Sequence, residues 1–309
     1  MKRFLFALAL ILFSTSNALA CACGCGVSMV GNSSLIPQCK GGIAFLQYDY
    51  LNQNRNWSKD EKSAAQNNED RQIKSQVVTA GMQYMFNQKW GVNVRVPYVT
   101  RSTQMVMVDE MTGDEMLMHG RVNSLGDIRI SAIYAGFFDD MSTGITFGLK
   151  LPTGKSNAKA FDRQDMQIGT GTTDSLLGAY HVGKIGDSGN VNWFIQGNWQ
   201  HALNSHNGYR PGDEFSGASG ISYGINSVPG IDRVTPILQV IGSKKAHDTG
   251  FASNPLNSGY SHAYFAPALQ LNFGELRTYF DVEFPLYQNT NGNQLVPTRI
   301  YKLILGYNF

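Results

Sequence analysis

The chain has 309 residues, 42% hydrophobic, 11% aromatic and 16% charged, and its 25 Lys and Arg against 23 Asp and Glu leave a formal net charge of +2. That balance gives no basic field for nucleic acid and no acidic one for cationic partners. No run of about 18 apolar residues follows the first stretch, which excludes a membrane-spanning helix.

The first stretch is a leader. Lys2 and Arg3 precede an apolar run from Phe4 to Phe13, and Ala18-Leu19-Ala20 forms a small-x-small cleavage site. This is the pattern of a secretory signal peptide over residues 1–20, and it accounts for the excess positive charge. About 290 residues remain, enough for one large barrel or two ordinary domains. All four cysteines, Cys21, Cys23, Cys25 and Cys39, fall in residues 21–40, expected as a Cys-rich periplasmic segment. In an exported chain they admit three chemistries: two disulfides, a thiolate site for copper or zinc, or lipid attachment at Cys21.

From Gly41 to Phe309 apolar residues alternate with polar ones, the period of a strand with two unlike faces. Runs of this kind begin with Gly42–Tyr50, Val78–Phe86, Val92–Tyr98, Ile128–Tyr134, Ile145–Leu151 and Leu176–Val182. They continue with Val191–Trp199, Ile221–Ile225, Val234–Val240, Phe265–Phe273, Leu276–Phe284 and Tyr301–Phe309. Pro236 and Pro267 weaken two of them, because proline donates nothing to a ladder. Short turns alternate with long connections: the short ones lie near residues 87, 140, 187, 229 and 274, the long ones at 52–74, 101–124, 153–172, 204–215, 243–259 and 288–298. One short end and one long end is the signature of an up-and-down transmembrane β-barrel, and about twelve antiparallel strands are expected. Both termini then fall at the short-turn, periplasmic end. The last run, ending Tyr307-Asn308-Phe309, resembles the C-terminal signal that bacterial barrel-assembly machinery reads.

Charges collect on the parity opposite the apolar one. An exposed cation at the centre of a bilayer costs about 2–4 kcal/mol. The lumen is therefore expected to receive Arg95, Arg129, Lys150, His181, Arg277, Asp281, Glu283 and Lys302 and to offer them to a small solute. Acidic and basic members also suit mutual pairing inside a narrow barrel.

Three stretches carry a resemblance. They are Leu125-Gly126-Asp127-Ile128, Gly148-Leu149-Lys150-Leu151-Pro152-Thr153-Gly154-Lys155 and Gly169-Thr170-Gly171-Thr172-Thr173-Asp174. In order and spacing they are similar to the motifs of the outer-membrane transporters named for the MetA pathway of phenol degradation, with Leu125 in place of that pattern's first glycine. The resemblance implies an outer-membrane channel without naming its cargo, and the Cys-rich segment is not part of it.

Two further patterns bear on chemistry. Met105, Met107, Met116, Met118 and His119 are soft donors in one loop, which with Cys21, Cys23, Cys25 and Cys39 suggests a copper-linked function. His201, Ser205 and His206 have the residue types of an outer-membrane lipase but not its His-x-Ser spacing. A non-enzymatic channel is expected, with a structural or adhesion barrel as the alternative.

Overall fold

The computed structural model describes residues 31, 35–37, 39–108, 114–159, 163–186, 189–226 and 229–309. The leader and Cys21, Cys23 and Cys25 lie outside the described residues. The chain is all-β, with three 3₁₀ turns and no α-helix among the described residues. Its strands are β1 (Gly41–Lys59), β2 (Glu61–Lys62), β3 (Asp70–Met85), β4 (Trp90–Val108), β5 (Glu115–Leu125), β6 (Arg129–Tyr134) and β7 (Thr143–Lys150). They continue as β8 (Asp174–Ile185), β9 (Val191–Ala202), β10 (Glu214–Tyr223), β11 (Arg233–Lys245), β12 (Tyr260–Phe273) and β13 (Leu276–Asn308).

Neighbours pair antiparallel, and β13 pairs with β1 to close the ring. Eleven of the thirteen strands form the closed path; β2 and β5 lie outside it. Two details reconcile this with twelve expected crossings. β13 is both arms of a hairpin: residues 276–290 pair with β12 and residues 290–308 with β1, and Asn308 N–H donates to the Glu275 carbonyl at 2.8 Å. The tip at Asn291-Gly292 reverses with Gly292 at φ +67°, which favours glycine. β5 and β6 are one wall interrupted at Gly126-Asp127-Ile128, since both pair with β4.

Closure pairs each strand of the ring on both sides, which a bilayer demands. The outer face is the apolar parity: Leu46, Val78, Ile130, Leu149, Ile195 and Leu305 are all exposed. Aromatics gather at the short-turn end, where Phe309 stacks on Tyr84 at 6.0 Å and Trp90 meets Tyr134 at 4.8 Å. Rings with an apolar body and a polar edge suit a membrane interface.

The long connections are mostly strand. β1 and β3, β4 and β5, and β11 and β12 run on as paired ribbons toward the long-loop end. β10 begins at Glu214, earlier than the 221–225 run predicts, because glycine and serine at 216–220 obscure its alternation. The connection 151–173 differs from the ribbons. Its described residues fold inward, burying Ala158, Met166 and Ile168 against Ile73, Val77, Val99, Val122 and Leu295. At the other end Leu35 and Ile36 are buried inside the barrel among Ile43, Phe45, Ile133, Tyr180 and Ile304. These described residues of 21–40 thus lie in the lumen rather than below it, because their apolar side chains complete the core.

Candidate functional site

The lumen holds three layers. Nearest the short turns is the apolar core just described. Gly31 reaches mid-lumen, where its carbonyl lies 2.8 Å from the Tyr279 hydroxyl. Nearest the long loops is the inward-folded segment 151–173. Between them is a chamber with about 140 Å³ of room for water centres, enough for on the order of ten waters or one single-ring molecule. Leu35, Ile36 and Pro37 bound it on one side and Gln164, Gln167 and Thr170 on the other.

Arg95 and Arg129 line this chamber and are directly opposed across the β4–β6 pair. Lys150 is the next residue in the same girdle, opposite Arg129 on β7, followed by Asp174 on β8. Three cations on three neighbouring strands would repel one another. The protein answers at one end of the arc. Lys150 Nζ lies 2.8 Å from Asp174 and 3.3 Å from Asp127, and donates to the hydroxyls of Thr170 and Thr172. Arg129 donates to Gln200 Oε1 at 3.1 Å, and Gln200 in turn donates to Asp174 at 2.5 Å. Arg95 donates to Asn93 at 3.3 Å and lies 5.7 Å over the Phe45 ring.

The Lys150 cage joins the three resembling stretches. Asp127 Oδ1 accepts from Gly154 N–H at 3.0 Å, and Asp127 Oδ2 accepts from Thr170 N–H at 3.2 Å. The glycines make that approach feasible. A Cβ on Gly154 would stand 2.7 Å from the Gly126 Cα and 2.8 Å from the Gly169 Cα. Arg101 adds two bonds to the carbonyls of Met166 and Gln167, at 3.0 and 3.2 Å. Arg163, partly exposed, pairs with Asp70 at 3.0 Å and Asp165 at 2.6 Å.

A second charged group braces the far wall. Lys302 pairs with Glu283 at 3.1 Å and Asp281 at 3.6 Å, and sits opposite Asp49 across the β1–β13 pair. Arg277 lies on the same inward parity as Asp281 and Glu283, toward the short turns. A third group ties the loops together: Lys245 pairs with Asp248 at 2.6 Å, and the Tyr209 hydroxyl donates to Asp248 at 3.1 Å. Burial pushes the Tyr209 hydroxyl well above its usual range, so it stays a donor.

His181 departs from expectation. It pairs with Ile195, an exposed outward residue, and its Nδ1 lies 2.7 Å from Thr143 Oγ1. Tyr180 occupies the inward place instead, at 7% exposure. The lumen is apolar at that height, so the apolar side chain turns in; the imidazole, tilted against Trp193 with ring centroids 5.0 Å apart, turns out. Sequence polarity also passed over Asp127 and Asp174, although each sits in a motif stretch beside Lys150.

The soft-donor set divides. Met105 pairs with Met118 and Met107 with Met116, whereas His119 pairs with Gln104 and so belongs to the other face. Cys39 is exposed near the start of β1. Among the described residues no group of three His, Cys, Asp or Glu could hold a metal. The hydrolase pieces stay apart as well. His201 lies 2.8 Å from Asp213, while a different histidine, His206, lies 3.3 Å from Ser156 Oγ.

No protein-family model matches the chain, and no curated protein matches it in sequence. Among solved structures it is similar to the COG4313 outer membrane channel from Pseudomonas putida F1, with TM-score 0.63 and 12% identity over 91% of this chain and 100% of that one. It is also similar to the β-domain of the Bordetella autotransporter Brka, with TM-score 0.52 and 11% identity over 87% of this chain and 100% of that one. At such identity the likeness is one of architecture, and that architecture is the outer-membrane β-barrel.

Proposed function

We propose that the chain is an outer-membrane channel of the MetA-pathway type for a small solute carrying an anionic group on a compact apolar body. The observation that carries this reading is the lumen chamber, with Arg95 and Arg129 opposed on its wall and Tyr180, Leu35 and Ile36 beside them. Two guanidiniums opposed on one wall attract an anionic group even with Glu214 on the same lining, and a planar guanidinium takes a carboxylate through two parallel bonds. Arg277, Asp281, Glu283 and Lys302 belong to the same lumen but brace its wall, and Lys150 holds the inward segment. In this reading the short turns and both termini face the periplasm, lipid covers the outer belt, and the Phe309 strand is what the barrel-assembly machinery engages. A soft-metal link, copper or zinc at the cysteines or copper at the methionines, belongs to the same proposal.

The test is planar-bilayer conductance of the purified full-length protein. Lys150→Met, which unpins the inward segment, should give larger steps than wild type. Arg95→Gln with Arg129→Gln should shift the reversal potential away from anion preference. Silence from both wild type and Lys150→Met would remove the channel reading. It would leave the second one, a non-conducting structural barrel, which the occupation of the lumen from both ends favours.

A further inference from the structure

The β4–β5 ribbon rises beyond the ring at the long-loop end, and its two faces differ in chemistry. One face carries two rungs of directly opposed methionines, Met105 with Met118 and Met107 with Met116. The other carries Val106 opposite Leu117 and Gln104 opposite His119. Aliphatic packing is thus available at the same height and is used on one face only. Strand ribbons favour β-branched and aromatic residues, and methionine is neither. Four of the chain's 11 methionines on one face, in register, run against that preference.

We propose that this face is a thioether site for a soft monovalent ion, copper(I) or silver(I). The inference rests on the soft-metal link, not on conduction. Opposed side chains on a ribbon have Cβ atoms about 4.5–5.5 Å apart, and successive rungs on one face are about 6.6 Å apart. Unbranched methionine side chains reach inward from such a rectangle, so three or four sulfurs converge on one ion. Thioether sulfur selects copper(I) over harder ions. Met105 packs against the Ile73–Val99 cluster, which anchors the base of the site. Met107, Met116 and Met118 are 54%, 56% and 43% exposed and free to close on an ion. The competing donors nearby do not serve it. Asp70, opposite Met105 on β3, is committed to Arg163, and His119 points from the other face. The methionine face continues the inward parity of Val99, Arg101 and Thr103, so the site stands at the mouth of the barrel.

The experiment titrates the full-length protein in detergent, cysteines alkylated, with silver(I) and with copper(I) under reductant, against a chromophoric chelator. Wild type should bind about one ion more than the variant in which Met105, Met107, Met116 and Met118 are all leucine. Leucine conserves volume, and retained heat-modifiable migration reports an intact barrel. Met107→Leu with Met116→Leu alters only the outer rung and should weaken binding about tenfold or more. His119→Ala should leave affinity unchanged, and zinc(II) should not bind. Equal stoichiometry and affinity in wild type and both leucine variants would overturn the proposal. So would a loss on His119→Ala as large as that on the outer-rung variant.

Discussion

Lys150 and Lys302 are both completely buried in the lumen, and each is held by carboxylates. They differ in what they connect. The partners of Lys302 come from one neighbouring arm and one neighbouring strand, Asp281 and Glu283 on β13 and Asp49 on β1. Those elements are already zipped by backbone bonds, so the lysine balances charge in a wall that exists without it. Asp174 reaches Lys150 across the β7–β8 ladder, but the lysine's other partners, Asp127 and Thr170, come from segments that no ladder joins to β7. Asp127 sits in the break between β5 and β6, Thr170 in the inward segment and Asp174 at the start of β8. The same ionic chemistry therefore braces a wall in one place and holds an inward-folded connection in the other. The resembling motifs cluster at the second.

The largest effect is expected from removing the two lysines in turn. Breaking a buried pair by deleting one partner costs about 3–5 kcal/mol, because the remaining charge is stranded. Lys150→Met and Lys302→Met should each lower the thermal midpoint, read from heat-modifiable migration. Only Lys150→Met should also open the segment 151–173 to protease while the barrel stays folded. Equal cleavage in both variants would erase the distinction between brace and pin.

A smaller effect tests the same pin sterically. Gly154→Ala adds a methyl group 2.7 Å from the Gly126 Cα, where backbone and not a flexible side chain must yield. Overpacking of this kind costs about 1–3 kcal/mol. The segment should become protease-sensitive with Lys150 still present. If Gly154→Ala resists protease as wild type does, the close glycine contact is not what seats the segment.

The strands were legible because lipid imposes a strict rule. Outward positions are predominantly apolar, and a period of two records it, so the runs fall on the observed strands, with β10 displaced toward Glu214. The alternation of turn and loop lengths was legible for the same reason. Lumen polarity obeys a weaker rule. Lys150, Asp281, Glu283 and Lys302 followed it because a full charge has nowhere else to go. His181 did not, since an imidazole with Thr143 beside it tolerates the outer face and Tyr180 fills the apolar core better. The inward fold of 151–173 and the burial of Leu35 and Ile36 left no periodic trace. They depend on contacts between residues far apart in sequence, such as Arg101 with Met166. The methionine set was visible as composition, but only strand register separated it from His119.

The smallest effect concerns the exposed pin on the same segment. Arg163 bonds Asp70 and Asp165 with geometry as good as that of Lys150, yet its side chain is 37% exposed. Water and salt weaken such a pair, and exposed ion pairs contribute about 0–1 kcal/mol. Arg163→Gln should therefore leave stability within about 1 kcal/mol of wild type, so that the thermal midpoint hardly moves. Its effect should lie in the rate of protease cleavage at 151–173, which should rise modestly. Raising ionic strength should bring wild type toward the variant, because screening acts on Arg163 and hardly on Lys150. If salt instead accelerates cleavage as much as Lys150→Met does, the buried cage is more accessible than its geometry implies, and the segment is held mainly from its rim.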